Sequence, residues 1–133
     1  MSTLGVGILK STTAAPPVVQ NSSEIEVGRF CRAYANFNGS GTPAIRSSFN
    51  VVGITDNGVG DFTLTFVNPL PSANYASIVV AHGISDTFAP AGTHTYSTAS
   101  VRVMVGSGLS GYMTQSWGVY KSDPAYINVA IFL

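Results

Sequence analysis

At 133 residues the chain has room for one domain and a tail, and it can bury a core without disulfide staples. Six Lys and Arg balance six Asp and Glu, so the net charge is zero. The cations Lys10, Arg29, Arg32, Arg46, Arg102 and Lys121 are scattered, which argues against the massed positive surface that a nucleic-acid binder needs. Only 9% of residues are charged and 45% are hydrophobic, where soluble domains run to about 25% charged. So neutral a surface favours association, and an obligate homo-oligomer is expected. A neutral monomer solubilised by its Ser, Thr, Asn and Gly is the alternative.

Residues 1–23 differ from the rest. The apolar run 4–9 is too short for a secretory signal, and Lys10 follows it instead of preceding it. No run approaches the roughly 20 apolar residues of a membrane span, so neither export by a signal nor membrane insertion is expected. Residues 11–23, STTAAPPVVQNSS, have the composition of an extended linker. The division is therefore an N-terminal arm over 1–23 and an all-β domain over 24–133.

From Glu24 the pattern has period two, the mark of half-buried strands. Residues 27–37 form a first strand, with Cys31, Ala33, Ala35 and Phe37 on one face and Arg32, Tyr34 and Asn36 on the other. The turn NGSGT follows, and Pro43 limits 44–46 to an edge. Residues 49–54 and 61–67 flank DNGVG, a hairpin turn centred on Asn57 and Gly58. In the second strand Phe62, Leu64 and Phe66 point inward, and Asp61, Thr63 and Thr65 outward. Residues 75–81 are Val/Ile-rich on both faces and read as a central strand. Residues 82–96 are the longest loop. Strands follow at 97–105 and 126–133, with flexible GSGLSG at 106–111 and Trp117 held in 113–120. Seven or eight short strands without helical periodicity predict an antiparallel β-sandwich or jelly-roll-like domain. Cys31, the lone cysteine, reads as core filler.

The chemistry of an enzyme is not visible. There is no G-x-S-x-G elbow, and the imidazoles His82 and His94 both fall in a loop. Asp56 and Asp61 bracket a turn, where turn chemistry explains them. The expectation is a non-enzyme without a cofactor. His82, Asp86 and His94 make a two-histidine, one-carboxylate set, but their wide spacing makes it a weak metal candidate. A binding surface fits the residues better. Tyr112, Trp117 and Tyr120 cluster near the glycine-rich segment, with Phe88, His94 and Tyr96 in the long loop, and aromatics with polar tips suit sugar faces and wet interfaces. Trp117 and Tyr120 have a core or subunit-interface role as their other reading.

The run NFNGSGTPAIRSSFNVVGITDNGVGDFTLTF, followed by PSANY, resembles a terminal module of tail fibres and small virion proteins of tailed bacteriophages. The closing INVAIFL resembles their final strand. The resemblance spans residues 24–82 and 126–133. It implies a structural virion protein, homotrimeric, on the tail or the capsid surface, made in the host cytoplasm and touching other virion proteins. It implies no catalytic residue. Within it, Leu4, Val6, Ile8 and Leu9 of the arm become the particle anchor, and residues 83–96 and 106–120 the surface that meets a host glycan or protein. A capsid decoration protein without a receptor, and a free carbohydrate-binding module, are the alternatives.

Overall fold

The structure is a computed structural model that describes residues 5–12, 17–82, 88–89, 91–106 and 121–133. The chain divides into two compact units, Met1–Phe30 and Cys31–Leu133. In the first, β1 (Val19–Gln20) pairs antiparallel with β2 (Glu26–Gly28). Asn21 makes the turn between them. Its Oδ1 accepts from the backbone N–H groups of Ser23 and Ile25, and Glu24 takes a positive φ of 60°. Asparagine offers the backbone such local bonds, and so it nucleates turns. Upstream, Val6, Ile8 and Leu9 are exposed. The strand expected over 27–37 is in fact two, broken at residues 29–30 where one unit ends and the other begins.

The second unit is the β-sandwich. Its described strands are β3 (Cys31–Asn38), β4 (Ala44–Phe49), β5 (Val51–Gly58), β6 (Asp61–Phe66), β7 (Ala76–His82), β8 (Phe88–Ala89), β9 (Ala91–Tyr96), β10 (Ser100–Val105) and β11 (Tyr126–Phe132). All pair antiparallel, in a five-stranded sheet of order β4-β3-β11-β7-β8 and a four-stranded sheet of order β5-β6-β10-β9. Alternation sets which side chains lie between the sheets. Ala33, Ala35 and Phe37 of β3 and Ile127, Val129 and Ile131 of β11 face Phe62, Leu64 and Phe66 of β6 and Val101, Val103 and Val105 of β10. Phe37 meets Phe62 edge-on across the layers, ring centroids 5.4 Å apart. Each large side chain withdrawn from water here contributes about 1.5–3 kcal/mol.

Several local expectations change. The strand expected over 49–54 is split at Asn50, which takes a φ of 55° and turns the chain from one sheet to the other. Asn50 suits this corner because its side chain is bonded on both ends. Nδ2 donates to the carbonyls of Arg32 and Asn68, and Oδ1 accepts from the Asn68 N–H at 2.8 Å. The strand after Pro43 consequently runs to Phe49 instead of stopping at Arg46. The hairpin forms, but its turn is Val59–Gly60. Asn57 stays in β5 because its amide bonds Asp61 and Thr63 instead. Gly60 takes a φ of 63° with its Cα pressed against the Val105 carbonyl, a place with no room for a Cβ. The long loop expected over 82–96 contains β8 and β9. Its Gly, Thr and Pro content hid a strand that pairs with β10 across a bulge. The stretch 113–120, which holds Trp117, lies outside the described residues.

Candidate functional site

The register fixes two ends of the sandwich. At one end lie the close of β7 at His82, the start of β11 at Tyr126 (its ladder partner), the turn after β3, and the close of β10 at Val105. Here residues 121–124 strap the sheets together. Gly106 bridges to Lys121, the Asp123 carboxylate accepts from the Gly60 N–H at 2.6 Å, and the Pro124 carbonyl accepts from the Gly39 N–H at 3.0 Å. At the other end lie Cys31, where the chain enters this unit, the Asn50 corner, and the Ala76–Phe132 pair. The described residues that flank 83–87 (His82 and Phe88) and those that flank 107–120 (Gly106 and Lys121) all stand at the first end.

The expected binding residues divide. Tyr112, Trp117 and Tyr120 lie outside the described residues, as do Leu4 and Asp86. Phe88 pairs with His82 at the first end. His94 falls at the bulge of β9, between Thr93, which pairs with Val103, and Thr95, which pairs with Arg102. Tyr96 pairs with Val101, far along the same strand toward the second end. His82 and His94 belong to different sheets. Thr93 touches Ser77 through their hydroxyls at 2.7 Å, and His82 is five residues further along β7, roughly 17 Å of strand. Among the described residues no cluster of His, Cys, Asp or Glu could hold a metal ion.

Two features escaped the sequence reading. The first is Asp61. It points outward by alternation, yet it is only 3% exposed. Arg102, diagonal to it on β10, grips both its oxygens, with Nε to Oδ1 at 2.7 Å. Asn57 donates to Oδ1, and Lys121 Nζ is 3.5 Å from Oδ2. The hydrogen bond from Arg102 is the largest influence on its carboxyl. It outweighs the opposing effect of burial and, with Asn57 and the charges of Arg102 and Lys121, lowers the pKa from 3.8 to about 2. The same pair raises the Arg102 pKa. The cluster ties β6, β10 and residue 121 together and is structural, since every carboxylate oxygen is already engaged. Asp56 does ordinary turn work, accepting from the Gly58 N–H.

The second is the outward face of the five-stranded sheet. One row across it reads Phe49, Tyr34, Ala130, Ile78, and the next reads Ser47, Asn36, Asn128, Val80. Phe49, Tyr34, Ile78 and Val80 are all exposed. Thus β7 lies inside its sheet as expected, but it is covered on one side only. The Tyr34 and Phe49 rings stack, and Asn36 donates to Asn128 at 2.6 Å. Above these rows the Tyr126 ring carries the Arg46 guanidinium 4.6 Å from its centroid and stacks on His82 at 4.7 Å. The cation–π and ring contacts hold three strands' side chains in one ordered group.

Comparison with protein-family models, curated proteins and solved structures finds no match to this chain.

Proposed function

We propose that the chain is a structural protein of a tailed-bacteriophage virion, a short tail-fibre or spike component that contacts the host surface. The sequence resemblance motivates the reading, and the polarity of the sandwich carries it. Residues flanking 83–87 and the glycine- and aromatic-rich 107–120 converge on one end, while Cys31, the first residue of the sandwich, lies at the other. Segments carried at one end of a rigid set of strands are the usual place for recognition residues. The partners on this reading are further copies of the chain as a trimer, neighbouring virion proteins, and a host-surface glycan or protein.

The exposed Val6, Ile8 and Leu9 favour a second reading. In it the chain is a capsid decoration protein, and the arm that seats it on the shell is its working part. Cryo-electron microscopy of the parent particle separates the two. Density at the distal tail is expected for host attachment, and density spread over the capsid lattice would overturn it in favour of decoration. Deleting residues 1–20 is expected to leave the sandwich folded and abolish incorporation into particles. Normal incorporation of that truncation would sink both readings.

A further inference from the structure

The two outward faces of the sandwich differ in chemistry. On the four-stranded sheet, β5, β6 and β10 present Thr55, Thr63, Thr65 and Ser100 beside the Asp61–Arg102 pair. That is how an antiparallel sheet normally meets water. On the five-stranded sheet one row is aromatic and aliphatic (Phe49, Tyr34, Ala130, Ile78) and the next is uncharged (Ser47, Asn36, Asn128, Val80), with no carboxylate on β3, β4, β7 or β11. Its formal charges are Arg32 on β3 and Arg46 on the edge strand β4, with Arg46 laid over Tyr126.

From this contrast we infer that the outward face of β4-β3-β11-β7 is buried against a second copy of the same chain. The size fits. Four strands about 4.8 Å apart and about six residues long span roughly 20 by 20 Å, about 400 Å² in projection. A standard interface covers about 800 Å² of accessible surface per partner, within about a factor of two of that projected area. The chemistry fits a like partner. The Asn36–Asn128 amides carry both donors and acceptors and so can bond polar groups of another copy, and the flanking Phe49, Tyr34, Ile78 and Val80 need only another apolar surface. With a net charge of zero, copies approach without long-range net repulsion. Arginine and aromatic residues around an apolar patch also match the usual composition of protein interfaces.

The inference rests on the homo-oligomer part of the proposed function. Its test is the mass of the full chain by light scattering after size exclusion, with near-ultraviolet circular dichroism as the check on folding. The variants are Ile78→Glu and, with the opposite charge, Val80→Lys; Val52→Glu on β5 is the control. All three sites are solvent-exposed. The wild type and the control are expected to be oligomers. Each face variant is expected to be a folded monomer, its association weakened about 100-fold or more by an unpaired charge in the interface. A wild-type oligomer that survives both face variants would overturn this face while leaving the homo-oligomer reading intact. A wild type monomeric at 100 µM would overturn both.

Discussion

The Asp61 cluster gives a prediction whose size and pH dependence both follow from the structure. Asp61→Asn keeps the volume and removes the charge that Arg102 and Lys121 hold. The carboxyl pKa is lowered from 3.8 to about 2, a difference of 1.8 that corresponds to about 2.4 kcal/mol. Arg102 and Lys121 are 40% and 45% exposed, so solvent screens the pair, and a contribution of about 1–2 kcal/mol is the better figure. For a unit of this size that is roughly 5–10 °C in Tm.

The folded-state pKa lies below the unfolded one. The stabilisation is therefore complete above about pH 5 and is lost as pH falls through 4 toward 2. Chemical or thermal melts of the wild type and Asp61→Asn at pH 7, 5, 4, 3 and 2 should show a gap that is full at the first two values. It should be mostly closed by the last, where about half of the wild-type carboxylate is protonated. Two results would refute the reasoning: no gap at pH 7, or a gap that persists unchanged to pH 2. The second would assign the effect to hydrogen bonding or packing and not to charge.

Three further predictions are independent of this one. Asn50→Ala removes three side-chain hydrogen bonds at a residue with positive φ, and should cost about 2–3 kcal/mol in a urea melt; Asn50→Gly, which tolerates that φ, should cost less. Gly60→Ala drives a methyl toward the Val105 carbonyl at a φ of 63°, and should cost at least about 2 kcal/mol by the same measurement. Phe62→Ala opens a cavity beside Phe37 in the fully buried centre and should cost about 3–5 kcal/mol, enough to compare against hydrogen-exchange protection of β6 and β10.

What was legible in the sequence was what depends on near neighbours. The alternation of β3, β6, β10 and β11 is local, so their inward faces, and with them the all-β sandwich, follow from the residue order. Long-range choices were not legible. Asp61 looks like any outward carboxylate until β10 is known to lie beside β6, which brings in Arg102 from 41 residues away. The Val59–Gly60 turn displaced Asn57–Gly58 because Asn57 spends its amide on Asp61 and Thr63, a tertiary bond that a turn rule does not contain. Strand β9 was hidden by Gly92, Thr93 and Thr95, residues with the composition of a loop, and it is recruited by pairing with β10. The exposed sheet face was missed for a related reason. An apolar residue at an alternate position looks like core until the register shows that its neighbours, Ala33, Ala35, Val129 and Ile131, already fill the interior side.

The strap at residues 121–124 leads to a last prediction, on the segment 107–120. Gly106 and Lys121 are bridge partners, so the segment leaves and returns through one narrow neck. That neck is held independently of what it carries: by Lys121 on Asp61, by Asp123 on the Gly60 N–H, and by the Pro124 carbonyl on the Gly39 N–H. Replacing 107–120 with about four Gly and Ser residues should therefore leave the sandwich folded. The shorter loop should even stabilise it by about 1 kcal/mol through reduced closure entropy. Thermal melts and an amide spectrum of the replaced chain measure this directly. A folded, slightly stabilised product would mean that Tyr112, Trp117 and Tyr120 are free to serve as contact residues. Loss of the fold would mean that they supply core, and would move the search for a host-contact surface away from this segment.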